Sequence, residues 1–226
     1  MFNIKFNFHL SELAKRTIVA CFGIAALLII YQLDMVHHLL SILFFVLYSE
    51  LLITCYDSKI TMLKKSIVFA AGVIYMALGL QSLADALSFG FLLHILAAVF
   101  ATDTAAFAFG RVFKGPKLVP KISPNKTWSG AIAGLIVGAC MFEYFLAQFI
   151  FPDRSWVRDF FYGASFAIVI QLGDLLVSFA KRVCKIKDAS KLLPGHGGFW
   201  DRCDSLFAGA IFVSILRIIK LGVEMM

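Results

Sequence analysis

Charge is scarce in this chain: only 15% of its 226 residues are Asp, Glu, Lys or Arg, where a soluble domain carries about 25%. With 61% hydrophobic residues and a mean hydropathy of +0.87, that shortage excludes a water-soluble globule. Proline is also sparse, with five residues in all, so little interrupts long helices. No internal repeat, low-complexity tract or flexible linker is present. The five cysteines (Cys21, Cys55, Cys140, Cys184 and Cys203) show no CxxC or other metal-ligand spacing, which excludes a zinc site and a disulfide framework. No small-residue cleavage signal accompanies the apolar segment after Lys15 and Arg16. That segment reads as a retained first helix, not a removed signal peptide.

What remains is a set of apolar runs near the roughly 20 residues that span a bilayer. Spanning helices are expected at 17–34, 39–56, 66–84, 86–110, 128–150, 159–180 and 205–223. The expected fold is an all-α, polytopic integral membrane helical bundle of about seven transmembrane helices, forming one domain over 1–226. Residues 1–85 read as helical scaffold, and 86–206 carry the polar motifs. Of the 21 basic residues, all but Arg154, Arg158, Arg217 and Lys220 fall in the N-terminus or in alternate loops. The positive-inside rule then places those loops, and any site they build, in the cytoplasm.

Acids inside apolar spans are costly and tend to mark sites. Glu50 and Glu143 have no polar neighbours in sequence and read as interhelical hydrogen-bonding groups, and lone His94 reads as packed. Asp174, Ser178, Lys181 and Arg182 follow i, i+4, i+7, i+8 spacing and so share one helix face that ends in cations. Asp201 and Asp204 are i, i+3 at the start of the last helix, where two carboxylates can converge on one cation. They follow Pro194-Gly195-His196-Gly197-Gly198, whose bare backbone lets N–H groups approach phosphate oxygens. Mg²⁺ takes few carboxylates and completes its shell with water and phosphate, a task suited to Asp174, Asp201 and Asp204. A second constellation runs from Asp103 to Gly110-Arg111 and on to Ser123-Pro124-Asn125-Lys126-Thr127. The latter stretch is expected to open the fifth helix and offer N–H groups and Lys126 to an anion.

Gly173-Asp174-Leu-x-x-Ser178-x-x-Lys181-Arg182, then Lys187-Asp188, then Leu193-Pro194-Gly195-His196-Gly197-Gly198-x-x-Asp201-Arg202-x-Asp204-Ser205 resembles the signature of the phosphatidate cytidylyltransferases (CDP-diacylglycerol synthases). Asp103-x-x-Ala-Phe-x-x-Gly110-Arg111 and Ser123-Pro-x-Lys-Thr-x-x-Gly130 are similar to that family's two upstream motifs, in the same order. The likeness covers about 101–130 and 170–206; the first 85 residues match only as hydrophobic spans. Family members often carry Glu before the glycine numbered 130, whereas this chain has Ser129.

The resemblance implies a Mg²⁺-dependent transfer of a cytidylyl group from CTP to phosphatidate, with a second cation also conceivable, giving CDP-diacylglycerol and pyrophosphate. It implies metal ligation by Asp174, Asp201 and Asp204, and catalytic roles for Lys181, Arg182, His196 and Arg202. Substrate contacts are expected from Asp103, Arg111, Ser123, Lys126, Thr127, Ser178, Lys191, Gly195, Gly197, Gly198 and Ser205. CTP, phosphatidate and membrane lipids are the implied partners, nucleic acid is not one, and a homodimer is compatible. The implied place is a bacterial inner membrane with the site facing the cytoplasm. Two other readings use the same groups. A CTP-dependent polyprenol or lipid kinase would need a base for an alcohol acceptor. A cation transporter would use Asp103, Asp174 and His94, but would need no Pro-Gly-His-Gly-Gly loop.

Overall fold

The computed structural model describes residues 35–151, 153, 155–186, 189–190 and 198–224; the expected first span at 17–34 lies outside them. The described chain forms α1 (Val36–Asp57), α2 (Met62–Ser88), α3 (Leu92–Phe113), β1 (Lys117–Val119), β2 (Ser123–Thr127) and α4 (Trp128–Met141). A π-helical turn (Phe142–Leu146) carries α4 into the short α5 (Ala147–Ile150), and α6 (Trp156–Val183) and α7 (Trp200–Glu224) complete the order.

Among the described residues, six helical segments are long and apolar enough to cross a membrane. Only 22–39% of each one's most apolar window is buried. Phe45, Ile74, Phe100, Phe161 and Ile218 all point outward, a surface that needs lipid to cover it. Inside, Leu47, Met76, Ile95, Phe142, Phe166, Ile170, Phe207 and Val213 form a closed core. The chain is therefore a multi-pass membrane protein built as a helical bundle.

Two details differ from the sequence expectation. The boundary expected near residue 85 falls at Phe89-Gly90-Phe91, where Gly90 takes φ +76°, a conformation open to glycine at little cost. Ser123–Thr127 does not open a helix. It is a strand, paired antiparallel with β1 through Val119↔Ser123 and Lys117↔Thr127. Pro124 explains the change: it biases Ser123 to extended backbone and brings no N–H of its own. Helix α4 begins only at Trp128, where the Thr127 side chain accepts from Gly130 N at 3.2 Å as its N-cap.

Small residues set the helix crossings. A Cβ on Gly130 would lie 2.4 Å from Ala106 O and 3.1 Å from Gly110 Cα. No other residue lets α3 and α4 approach this closely, as in small-residue packing of membrane helices generally. The antiparallel helices thus bring the hairpin, the end of α6 and the start of α7 to one end of the bundle.

Candidate functional site

At that end, carboxylates and cations from four elements meet. Lys126, from β2, places Nζ 2.7 Å from Asp174 Oδ2 on α6, with the two side chains 25% and 31% exposed. The same ammonium reaches Gln171 O at 3.4 Å. Ser178 Oγ donates to Asp174 Oδ1 at 3.2 Å, one turn along the predicted face. Ser205 Oγ donates to Asp103 Oδ2 at 2.7 Å, joining α7 to α3. Lys181 Nζ meets Asp201 Oδ1 at 2.5 Å. The motifs around 103–130 and 174–205, remote in sequence, are one cluster in space.

The acids divide into two groups. Asp103, Asp174 and Asp204 are near enough to repel one another, with Lys126, Lys181 and Arg202 supplying opposing charge. Asp204 is buried, and its Oδ1 accepts from Ser205 N at 2.8 Å. Asp201 stands apart: beyond Lys181, its Oδ2 accepts from Ala189 N at 3.1 Å and Gly198 N at 2.9 Å. Asp103, which sequence spacing did not group with these acids, lies with Asp174 and Asp204, while Asp201 is engaged by Lys181 and two backbone amides.

Among the described residues, no three His, Cys, Asp or Glu side chains form a ready-made metal cage. A small hard dication needs only one or two carboxylates when phosphate oxygens and waters supply the remainder. Asp174 and Asp204 are hard oxygen donors in a mutually repelling set, and that chemistry fits such an ion.

The other predicted residues fall as follows. Arg182 donates through Nε to Ile122 O at 3.1 Å and through Nη1 to Ile186 O at 2.9 Å, so it ties α6 to the hairpin turn. Arg202 is exposed on the first turn of α7. Arg111 is exposed at the end of α3, 5.8 Å over the Phe107 ring. Ser123 sits in the strand ladder and Thr127 caps α4. Lys191, Gly195, His196 and Gly197 lie outside the described residues. Gly198 is buried, and its N–H is one of the two amides that donate to Asp201.

Three contributors were not assigned to the site from sequence. Tyr75 Oη donates to Asp204 O at 2.5 Å, and the Trp200 indole donates to Leu47 O at 2.7 Å. Glu50, expected to bond between helices, accepts Ser190 Oγ and the amides of Phe199 and Trp200. The signal for Tyr75 is a hydroxyl in the apolar middle of its span, between Val68 and Leu80; for Glu50 it is the acid itself. Two concavities, about 320 Å³ beside Arg158, Phe161, Tyr162 and Ser165 and about 70 Å³ beside Arg217 and Lys220, lie toward the opposite end of the bundle. They take no part in the carboxylate–lysine cluster, and cluster geometry is the better guide to chemistry.

Known proteins resemble this chain over much of its length. A protein of Brucella suis biovar 1 (strain 1330) named phosphatidate cytidylyltransferase is 42% identical over 146 residues, 62% of this chain and 53% of that protein. Proteins of the same name from Haemophilus influenzae and Rickettsia conorii are 38% identical over 151 residues and 35% over 127. Those alignments cover 66% and 53% of this chain and 52% and 54% of the relatives. The chain spans about half the length of the curated relatives it matches. The model of the cytidylyltransferase family matches residues 4–219, nearly the whole chain, and the chain belongs to that family.

Proposed function

We propose that this protein transfers the cytidylyl group of CTP to phosphatidate, forming CDP-diacylglycerol and pyrophosphate. The observation that carries the reading is the meeting of Asp103, Lys126, Asp174, Lys181, Asp204 and Ser205 at one end of a lipid-facing bundle. An oxygen of the lipid phosphate attacks the α-phosphorus of CTP, and the bond from that phosphorus to the β-phosphate bridge breaks. The electron pair leaves on pyrophosphate. The attacking phosphate is already ionised near neutral pH, so no strong general base is required. The barrier is the approach of two anions and the charge gathering on the leaving group, so positioning and electrostatics carry the catalysis.

Lys126 and Lys181 are each held by an aspartate. An arriving triphosphate competes for those ammonium groups, and the released carboxylates would be free to hold a cation. Mg²⁺, held by Asp174 and Asp204 with Asp103 nearby, would neutralise phosphate charge. Asp201 holds Lys181 toward the substrate and fixes the amides of Ala189 and Gly198. Phosphatidate reaches the cluster from the bilayer, and CTP comes from the cytoplasm. The setting is a bacterial inner membrane with the hairpin end inside, where the basic loops gather.

The test is purified protein with CTP, phosphatidate and Mg²⁺, assayed for pyrophosphate and CDP-diacylglycerol together. Equal amounts of both support the reading. Release of CDP with a phosphorylated alcohol would instead assign a kinase, and neither product would refute nucleotidyl transfer to phosphatidate.

A further inference from the structure

We propose that Glu50, from the scaffold helix α1, is a positioning residue for the transfer site, acting through the first turn of α7. The inference rests on the transfer reading above. Glu50 is only 1% exposed, and one carboxylate takes three donors. Oε1 accepts Ser190 Oγ at 2.5 Å and Phe199 N at 3.0 Å, and Oε2 accepts Trp200 N at 3.0 Å. Contacts one turn to either side extend the docking. Leu47 O accepts the Trp200 indole at 2.7 Å, and Thr54 Oγ1 donates to Ala189 O at 3.2 Å. Residues 47, 50 and 54 share one face of α1, so that face holds the chain where it enters α7.

The first amides of a helix have no partner within it, and Phe199, at the cap position, has no acceptor in its side chain. The acceptor comes from a distant helix, and a carboxylate there also suits the positive end of α7. The fit is tight, because a Cβ on Gly198 would lie 2.8 Å from Glu50 Oε1.

What Glu50 fixes is the register of the next turn. The same turn and a half carries Asp201 to Lys181 at 2.5 Å and Ser205 to Asp103 at 2.7 Å. A helix rises about 1.5 Å per residue, so a slip of one residue at Trp200 breaks both contacts. A cap serving stability alone would have no such consequence.

The experiment compares Glu50→Ala, Glu50→Gln and Glu50→Asp with Leu83→Ala, a core truncation in α2 (2% exposed) that serves as a stability control. All are purified in lipid nanodiscs, and activity is expressed per folded molecule. Glu50→Ala is expected to lower kcat by about 30-fold, and Glu50→Gln, which keeps one acceptor oxygen, by about tenfold. KM for CTP should move less than about threefold, because no substrate-facing group is removed. Glu50→Asp should recover part of the loss. Independently of substrate, amide exchange at Phe199 and Trp200 should quicken by at least about tenfold in Glu50→Ala and be unchanged in Leu83→Ala. A kcat per folded molecule equal to that of Leu83→Ala overturns the proposal, as does unchanged exchange at the two amides. If Glu50→Ala does not fold, the Gln and Asp variants carry both readouts. Should the wild type release no pyrophosphate from CTP and phosphatidate, the transfer reading fails by itself. Amide exchange then still decides whether Glu50 holds α7.

Discussion

The Lys126–Asp174 pair gives the sharpest test of the site, because its structural and catalytic worth can be separated. The ions stand 2.7 Å apart with a quarter to a third of each side chain exposed. Exposed pairs contribute about 0–1 kcal/mol, and losing one partner of a fully buried pair costs about 3–5 kcal/mol. This pair lies between those limits. Asp174→Asn keeps the shape and the Ser178 contact, so it should cost about 1–2 kcal/mol of stability. Lys126→Met leaves Asp174 facing Asp103 and Asp204 without its nearest counter-charge, and should cost about 2–3 kcal/mol. The double variant removes both charges and should be more stable than the sum of the single losses implies, by about 1 kcal/mol.

Activity should follow a different rule. Each single variant is expected to lower kcat/KM for pyrophosphate release by at least about 10²-fold, or about 2.7 kcal/mol of transition-state stabilisation. The double variant should fall no more than about tenfold below the worse single, because groups acting as a unit do not lose their effects additively. Thermal unfolding and pyrophosphate release from the same nanodisc preparations measure both. A single variant within threefold of wild type removes that residue from the site. Losses that multiply to about 10⁴-fold show that the two groups act independently, and the shared role argued for them fails.

Other consequences are testable in the same preparations. Asp204→Asn should reduce turnover by at least about 10²-fold at saturating Mg²⁺ while the protein still inserts and folds; near-normal turnover would exclude Asp204 as a cation ligand. In a background lacking the native cysteines, single cysteines near Lys114 and Lys185 should label from one side of the membrane and one near Asp153 from the other; labelling of the first two from opposite faces would break the site apart. Burial pushes the Cys184 thiol above its ordinary value, only partly offset by Lys65, so maleimide should modify it more slowly at pH 7 than an exposed thiol, at a rate that climbs steadily as pH rises. A hydrogen bond from its own backbone amide, and then Arg158, hold the Asp153 carboxyl below the usual range. Its contribution is thus present at neutral pH and lost as pH falls through that lowered value, and the unfolding temperatures of wild type and Asp153→Asn should converge below about pH 4.

Helix-forming regions and the acids of the site were legible in the sequence because membrane depth makes each polar residue costly. Spacing placed Asp174, Ser178 and Lys181 on one face, and the structure places Ser178 against Asp174. Partner choice was not legible. The i, i+3 spacing of Asp201 and Asp204 fixes a shared helix face but not which way each carboxylate turns, and Asp201 turns to Lys181 and two backbone amides. Glu50 looked isolated because its donors lie far along the chain, so its role at α7 needs the fold. The hairpin was hidden because Ser123-Pro124-Asn125-Lys126-Thr127 contains a plausible cap residue at its end, and only pairing with β1 shows where extended backbone stops.

Ser129 stands at the start of α4, where its oxygen could take over the capping part of the carboxylate often found at this position. In the structure Thr127 already caps α4 by accepting from Gly130 N at 3.2 Å. Ser129 Oγ instead donates to Lys114 O and lies 3.1 Å from Thr127 Oγ1, so it braces the turn between α3 and the hairpin. No ion pair is lost with it, and Lys126 remains on Asp174. Ser129→Ala should therefore cost about 1 kcal/mol of stability and less than about tenfold in turnover, far below the loss for Lys126→Met. Parallel kinetics of the two variants decide between a brace and a substrate contact: a Ser129 loss as large as that at Lys126 would place the hydroxyl on the reacting groups.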